Sequence, residues 1–234
     1  NHFDRVRTGE TVADKDAFAT LEMDERQLLL LVHSGSCGYG QRNVGEFLHF
    51  EGLIEDGHDA CAYISKHDDA LLWAERNRLL VAQKLMDHLG FSANVQTKLD
   101  CCHNFLEKDG DHYIHRKGAV SALNGLVILP GSRGSLTYIL KPAEDTLLSA
   151  HSLSHGAGRK WARSLCKSRI RDKYDRDTIR QTKLGSRTVC HDTDLLYQEA
   201  PEAYKNIEHV VAALVEHKLA GVVATLRPLI TYKG

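Results

Sequence analysis

The sequence has 234 residues, of which 42% are hydrophobic and 26% are charged, and its formal net charge is −1. This composition is ordinary for a soluble globular protein and excludes disordered and fibrous classes. No run approaches the ~18 consecutive apolar residues that a membrane-spanning helix needs. We therefore expect no membrane partner, and the cytoplasm is the simplest expected location.

The charged residues are unevenly distributed. Residues 159–187 hold 11 lysines and arginines against 3 aspartates, whereas the remainder of the chain is acidic. A basic block on an acidic chain is typical of a protein that binds a polyanion, and a solvated basic helical face is the alternative. The six cysteines include no CxxC pair and are too sparse for a disulfide scaffold, which predicts reduced thiols.

The first apolar run in the chain is short and bounded by polar residues. Residues 27–32 read QLLLLV, which predicts a buried strand. The strand delivers His33 at its end, directly before the glycine-rich segment 34–40. Backbone is exposed where a strand meets such a turn and can hold a phosphate, so His33 is a candidate site residue.

The middle of the chain predicts a scaffold helix followed by strands. Residues 68–89 have helical periodicity and end at Gly90. Residues 113–122 and 126–129 flank Asn124-Gly125, a strong signal for a β-hairpin.

A second loop with phosphate-binding character follows the predicted hairpin. Residues 130–134 read PGSRG and lead into a strand predicted over 136–140. Backbone N–H groups beside the guanidinium of Arg133 suit a phosphate, although an ordinary β-turn explains the same residues.

The segment around His155 is the leading candidate for a reactive site. Residues 152–159 read SLSHGAGR, and a helix is predicted over 157–167. The glycines allow close approach of a ligand, and the start of the predicted helix favours an anion. An imidazole placed there could attack phosphorus, while a capped helix preceded by a chance histidine is the alternative. Beyond it we predict a helix over 204–219 and a strand over 222–229.

Three further histidines lie at predicted strand ends or turns. His2, His33 and His103 could bind Zn²⁺, Mn²⁺ or Fe²⁺, and Cys101 and Cys102 beside His103 keep that hypothesis open. Together with the two loops and His155, they suggest metal-assisted phosphoryl chemistry. We predict an α+β fold with mixed sheets that carry the metal-binding histidines at strand ends, surrounded by helices. Residues 1–234 read as one catalytic domain that lacks its N-terminal segment.

Eight short motifs carry a resemblance that covers essentially the whole chain. They are Asn1-His2-Phe3, His33-Ser34-Gly35-Ser36, Cys102-His103-Asn104, Arg116-Lys117-Gly118-Ala119, Pro130-Gly131-Ser132-x-Gly134, His155-Gly156-Ala157-Gly158-Arg159, Ala203-Tyr204-Lys205 and Lys233-Gly234. In order and approximate spacing they resemble the RtcB-type RNA ligases. The stretch before Leu28 and the run 28–33 look more like the subfamily encoded beside release factor H.

The resemblance implies a ligase that depends on GTP and on Mn²⁺, with two ions expected. It would join an RNA 3′-phosphate or 2′,3′-cyclic phosphate to a 5′-hydroxyl, as in RNA repair and tRNA processing. His155 matches the family's guanylated histidine, which forms a covalent histidine–GMP. His2, His33 and His103 match its metal ligands.

The resemblance also assigns the nucleotide contacts. Asn1 matches a residue near the α-phosphate, Tyr204 and Lys233 match positions around the guanine, and Ser132 lies in a loop that would hold the nucleotide. Lys117 and Arg159 are expected phosphate contacts. The expected partners are broken RNA ends and GTP, and the sequence leaves open whether an activating helper protein takes part.

The chain departs from the family pattern at three places. The family takes a further cysteine and aspartate as metal ligands from a segment upstream of Asn-His-Phe, which this chain lacks. Arg5 stands where the family has a glutamate that recognises the base. Cys37 stands where it has an arginine, and loss of that guanidinium should weaken anion binding by ~1–3 kcal/mol. A non-catalytic relative that binds RNA or nucleotide, and a metal-dependent phosphohydrolase, are the alternative functions.

Overall fold

The structure is a computed structural model that describes residues 2–24, 26–47, 57–91, 95–175 and 177–234, with only the backbone for residues 2–10, Val44 and His58. Its strands are β1 (His2–Val12), β2 (Leu28–His33), β3 (Asn104–Asp109), β4 (His112–Lys117), β5 (Ala119–Ser121), β6 (Val127–Leu129), β7 (Thr137–Pro142), β8 (Ser152–Ser154), β9 (Arg187–Cys190) and β10 (Ala220–Lys233). Its α-helices are α1 (Lys15–Ala19), α2 (Cys37–Gly45), α3 (His58–His88), α4 (Arg163–Ile170), α5 (Thr193–Gln198) and α6 (Ile207–Glu216).

The main sheet is built around the long strand β10. Its order is β2–β1–β10–β7–β6, and β9 pairs in parallel with the last residues of β10. All other pairs in this sheet are antiparallel. A hairpin of β3 and β4 and a short pair of β5 and β8 form two separate sheets. The predicted α+β class with mixed sheets is confirmed.

Alternation along β7 explains how the main sheet is covered on both faces. Tyr138 and Leu140 pack into a core with α6, whereas Ile139 between them packs into a core with α1. Successive side chains of a strand point to opposite faces, so one apolar run supplies both cores. A third core joins α4, α5 and β9 around Cys166, Ile170 and Leu196.

Several predicted elements are present with shifted boundaries. The strand predicted over 27–32 is β2, but it is an edge strand whose side chains are only half-buried, so its predicted full burial is wrong. The scaffold helix begins at His58 rather than at 68. The helix predicted over 204–219 is α6, which begins later because Asn206 caps it by accepting a hydrogen bond from the Glu208 N–H.

The predicted hairpin around Asn124-Gly125 is wrong. Residues 113–122 are divided between β4 and β5, which pair with β3 and β8 rather than with β6. The turn passes the chain from one sheet to another, and the Asn124 amide donates to Glu107 Oε1 at 2.9 Å. Gly110, with φ +60°, instead forms the turn of a true hairpin between β3 and β4.

The helix predicted over 157–167 begins only at Arg163. Gly158 has φ +72°, and an isolated antiparallel bridge joins Arg159 to Tyr204. The Lys160 N–H also donates to the Ala203 carbonyl oxygen at 2.7 Å. Residues 158–160 are therefore not helical, and the N-terminus of α4 does not directly follow His155 as predicted. No helix in the described part of the chain has the length and apolar character needed to cross a membrane.

We expect truncation of Leu140 to destabilise the fold strongly, because its side chain is 0% exposed between the main sheet and α6. Leu140→Ala should lower the free energy of unfolding by about 2–5 kcal/mol, measured by urea denaturation. The matched control is Leu148→Ala, since Leu148 is 98% exposed. A comparable loss in both variants would contradict the assigned core.

Candidate active site

One cavity of about 880 Å³ collects most of the residues singled out from the sequence. Those that line it are His33, His103, His155, Ser132, Arg159, Tyr204 and Lys233. They come from strand ends and loops far apart in the chain, and the fold brings them together around one cavity.

Three imidazoles lie close together in the lining of the cavity. His33 ends β2, His103 immediately precedes β3, and His155 immediately follows β8. The Nε2 atoms of His33 and His103 are 3.0 Å apart. The His103 and His155 rings are stacked with their centroids 4.3 Å apart. The predicted placement at strand ends is therefore observed for His33 and His103, whereas the position of His155 directly after a strand was not predicted.

A backbone carbonyl selects the tautomer of His155. Its Nδ1 lies 2.6 Å from the carbonyl oxygen of Gly118. Because a carbonyl oxygen only accepts, Nδ1 carries a proton, and in the neutral ring the lone pair then lies on Nε2. Gly118 has φ +68°, and a Cβ there would lie 3.2 Å from His155 Cε1. Glycine at 118 thus permits the contact that sets the tautomer.

A buried arginine holds strand β8, which immediately precedes His155. Arg116, 3% exposed, donates from Nε to Ser152 Oγ at 3.0 Å and from Nη2 to the His151 carbonyl oxygen at 3.0 Å. It also forms an ion pair with Glu107 at 2.5 Å. These bonds tie the β3–β4 hairpin to β8, so the position of His155 is built on two strand pairs.

Burial keeps the other two imidazoles neutral. Burial is the main cause that lowers the pKa of His103 to about 4, and the neighbouring His155 and His33 imidazoles, beside which a second positive charge is unfavourable, lower it further. Burial also lowers the pKa of His33, with smaller contributions from His155 and Arg78. A neutral imidazole is the form that binds a metal ion, because protonation removes the lone pair.

The spacing of His33 and His103 fits a shared metal ion. In the octahedral geometry typical of Mn²⁺, two nitrogens at right angles and about 2.1 Å from one ion lie about 3.0 Å apart. The Nε2 atoms of His33 and His103 have this separation, which is also that of a hydrogen bond between them. The Nδ1 atom of His103 has no hydrogen-bond partner. Among the described side chains no cluster of three or more histidine, cysteine, aspartate or glutamate residues is arranged around a metal site. The metal-ligand role of His33 and His103 therefore stays a prediction.

A buried carboxylate organises a second group of residues in the cavity lining. Glu199 is 5% exposed, and its Oε2 accepts from Lys233 Nζ at 3.1 Å and from the Tyr204 hydroxyl. Its Oε1 accepts from Arg159 Nη1 at 3.1 Å. The Arg163 guanidinium lies 3.6 Å from the same oxygen. Two guanidinium groups and one ammonium group thus surround one carboxylate, so the net charge of this cluster is positive.

The surroundings shift the pKa values of two groups bound to this carboxylate. Burial lowers the pKa of Lys233 to about 7, and the adjacent Glu199 carboxylate favours retention of its proton. Burial and then the negative charge of Glu199 raise the pKa of Tyr204 well above its usual range. Tyr204 is therefore a neutral hydrogen-bond donor whose ring lies under the Arg159 guanidinium, 4.9 Å from it.

The loop over 130–134 differs from its predicted form. Arg133 is 3% exposed, and its Nη2 donates to the carbonyl oxygens of Ile179 and Leu196 at 3.1 and 3.2 Å. Its guanidinium is thus buried instead of being available to a phosphate. Ser132 does line the cavity, and its backbone N–H and hydroxyl both bond to Ser135 Oγ.

Some predicted site residues lie elsewhere. Asn1 and the side chain of His2 are outside the described residues, although the backbone of His2 pairs in register with His33 on one side and Lys233 on the other. Lys117 is exposed at the end of β4 and is not among the residues that line the cavity. Cys37 lines the cavity and begins α2. The six cysteines are free thiols.

Three contributors to the site were not predicted. They are Glu199, Gly118 in its role as acceptor, and Arg78, which reaches the cavity from α3. Glu199 immediately precedes Ala200-Pro201 and lies twelve residues beyond the basic segment, so no local signal marks it as a site residue. The partners of Arg78 are 22 to 44 residues away along the chain, so no local pattern reveals its contacts.

Similarity to known proteins identifies the family of the chain. Residues 1–234 match the profile of the family described as tRNA-splicing ligase RtcB. The chain belongs to the RtcB family. The resemblance carried by the eight motifs is thereby confirmed, while the subfamily assignment stays a prediction.

Two relatives show how much of an RtcB protein this chain represents. It is 45% identical over 244 aligned residues to the RNA-splicing ligase RtcB2 of Escherichia coli, with all of this chain and 63% of the relative covered. It is 28% identical over 282 aligned residues to the tRNA-splicing ligase RtcB of Archaeoglobus fulgidus, with all of this chain and 58% of the relative covered. The chain thus spans about three-fifths of these RtcB proteins.

A methyl group at residue 118 should displace His155. Gly118→Ala and Gly110→Ala both place alanine at positive φ, which costs about 1–2 kcal/mol of folding free energy, but only residue 118 has the His155 ring within reach of the new Cβ. We expect the ¹⁵N signals of the His155 ring to shift in Gly118→Ala alone. Identical His155 spectra in the two variants would contradict the role of this contact.

Removal of the Glu199 charge should leave buried cations uncompensated. Glu199→Gln should lower the free energy of unfolding by about 3–5 kcal/mol in chemical denaturation. Lys167→Met is the matched control because its ion pair with Asp194 is exposed on both sides, and it should change stability by no more than about 1 kcal/mol. Equal effects would mean that Glu199 does not hold the cationic cluster together.

Proposed function

We propose that this RtcB-family protein is an RNA ligase that uses GTP and Mn²⁺ to join a 3′-phosphate or 2′,3′-cyclic phosphate end to a 5′-hydroxyl end. The observation that carries the proposal is the contact of His155 Nδ1 with the Gly118 carbonyl oxygen, which in the neutral ring leaves the lone pair on Nε2. That imidazole shares one cavity with the cationic cluster around Glu199 and with the His33 and His103 imidazoles. The names of the relatives, which are RNA-splicing and tRNA-splicing ligases, support the substrate class.

In the first step His155 acts as a nucleophile toward GTP. Its Nε2 forms a bond to the α-phosphorus, the bond from that phosphorus to the bridging oxygen breaks, and pyrophosphate leaves with the electron pair. The ring gains positive charge as the bond forms. The hydrogen bond from Nδ1 to the Gly118 carbonyl oxygen stabilises that charge and holds the ring in place.

The cationic residues neutralise charge on the phosphates. Arg159 follows His155 by four residues, and with Arg163 it lines the same cavity. Glu199 keeps both guanidinium groups in place but only partly offsets their charge, since Lys233 is also present. Preorganised cations of this kind are worth most in a site that excludes water.

Mn²⁺ bound by His33 and His103 would supply further charge neutralisation on the transferring phosphoryl group. His2 is the third proposed ligand, because its backbone pairs with His33. Tyr204 and Lys233 are proposed to contact the guanine.

The remaining steps use RNA. The 3′-phosphate would attack the phosphorus bonded to His155, which restores the free imidazole and leaves an activated RNA–GMP end. The 5′-hydroxyl would then attack the RNA phosphate and release GMP. The basic helix α4 begins at Arg163 in the cavity wall, with Lys167 and Arg169 exposed beyond it, which suits the RNA backbone.

Guanylation of His155 provides the decisive test. The full-length protein is incubated with α-labelled GTP and Mn²⁺, and we expect label that survives protein denaturation and is released by acid. Label should be absent from His155→Ala and retained in His209→Ala, because His209 is exposed on α6.

The other outcomes separate the alternative functions. Absence of an adduct from wild-type protein that still binds GTP would favour a non-catalytic nucleotide-binding relative. Release of label only as free GMP or phosphate would favour a phosphohydrolase. Either outcome would overturn the ligase proposal.

A further inference from the structure

We propose that Arg78 is a positioning residue that holds the His33 and His103 imidazoles together as one pair. Arg78 lies in the middle of α3, and its side chain is 14% exposed. Neither histidine belongs to α3, and the Arg78 side chain contacts both of the chain segments that carry them. The metal-binding consequence rests on the proposed function, whereas the imidazole geometry does not.

The first contact is with the strand end that carries His33. Arg78 Nη1 donates to the carbonyl oxygen of Ser34, the next residue after His33, at 3.3 Å. The neighbouring Asn77 donates from Nδ2 to Ser34 Oγ at 3.0 Å. Two adjacent residues of α3 therefore fix both the backbone and the side chain of Ser34.

The second contact is with the segment that leads into His103. Arg78 Nη2 donates to Asp100 Oδ2 at 2.6 Å and also lies 4.0 Å from the Sγ atom of Cys102. Asp100 and Cys102 precede His103 by three residues and by one. The guanidinium thus bridges the two segments, with one nitrogen directed to each.

This bridge matters because β2 is an edge strand. On one side β2 pairs with β1, and its other edge is unpaired within the described sheet. His103 lies in a loop ahead of β3, which belongs to a different sheet. No strand pairing joins the two histidine segments directly in the described part of the chain, so side-chain contacts must set their separation.

The planar guanidinium is suited to this task. Its Nη atoms donate in fixed directions, and the 31-residue helix that carries it is a rigid support. Both Nη atoms are engaged by protein acceptors, which favours a positioning role over a direct contact with phosphate.

The proposal is tested with Arg78→Ala and Arg78→Lys in the full-length protein. Arg76→Ala is the matched control, because it removes the same charge from an exposed position two residues away on α3. The first readout, taken without metal, is the set of ring ¹⁵N signals of His33 and His103, assigned with His33→Ala and His103→Ala. The second is the affinity for Mn²⁺ followed by electron paramagnetic resonance.

We expect both pairs of ring signals to shift in Arg78→Ala and to remain unchanged in Arg76→Ala. The Mn²⁺ affinity of Arg78→Ala should fall about 10- to 100-fold, the range for loss of a residue that orients metal ligands. Arg78→Lys should recover the folding stability but only part of the Mn²⁺ affinity. One ammonium group cannot donate to both chain segments in fixed directions, as the planar guanidinium does. If Arg78→Ala does not fold, Arg78→Lys and Asp100→Asn supply the same readouts.

Unchanged ring signals and unchanged Mn²⁺ affinity in folded Arg78 variants would overturn the proposal. Loss of stability alone, with the two imidazoles undisturbed, would equally overturn it and leave Arg78 a structural residue. A third outcome is that the wild-type protein binds no Mn²⁺ while the His33 and His103 ring signals still shift in the Arg78 variants and not in Arg76→Ala. That outcome would refute the metal part of the proposed function and retain the positioning role.

Discussion

A carboxylate placed out of water must be matched by positive charge, and this requirement shapes the candidate site. Glu199 is 5% exposed, and leaving it unpaired would cost several kcal/mol. Its partners Arg159, Tyr204 and Lys233 come from the loop after β8, the bridge before α6 and the end of β10. Compensation of one charge therefore brings three chain segments to the same place.

The same requirement reaches His155 through the backbone. Arg159 is held by Glu199 through its side chain and by Tyr204 through a backbone bridge, and only three residues separate it from His155. The other side of His155 is fixed by Gly118. The cavity lining thus combines a cationic cluster arranged around Glu199 with the imidazoles of His33 and His103, and the His155 ring stacks on His103.

Local sequence patterns predicted the elements whose formation depends on local interactions. The apolar run of β2, the periodicity of α3 and the alternation of β7 are such cases. Asn124-Gly125 gave a turn, but turn chemistry does not choose a strand's partner, and β5 pairs with β8 instead. The helix expected after Gly156 fails because Arg159 gains more from Glu199 and Tyr204 than from a helical turn. The roles of Glu199 and Arg78 were not predicted, because most of their partners are distant in sequence.

The pairing of β1 with β10 has a consequence for the order in which the molecule folds. Within the described sheet, β2, which carries His33, joins the other strands through β1, and β1 joins them through β10. The paired residues of β1 and β10 are more than 200 residues apart along the chain. Closure of such long-range pairs is slow. The part of the cavity wall that His33 supplies therefore depends on a contact expected to form late in folding, after most of the chain between the two strands is in place.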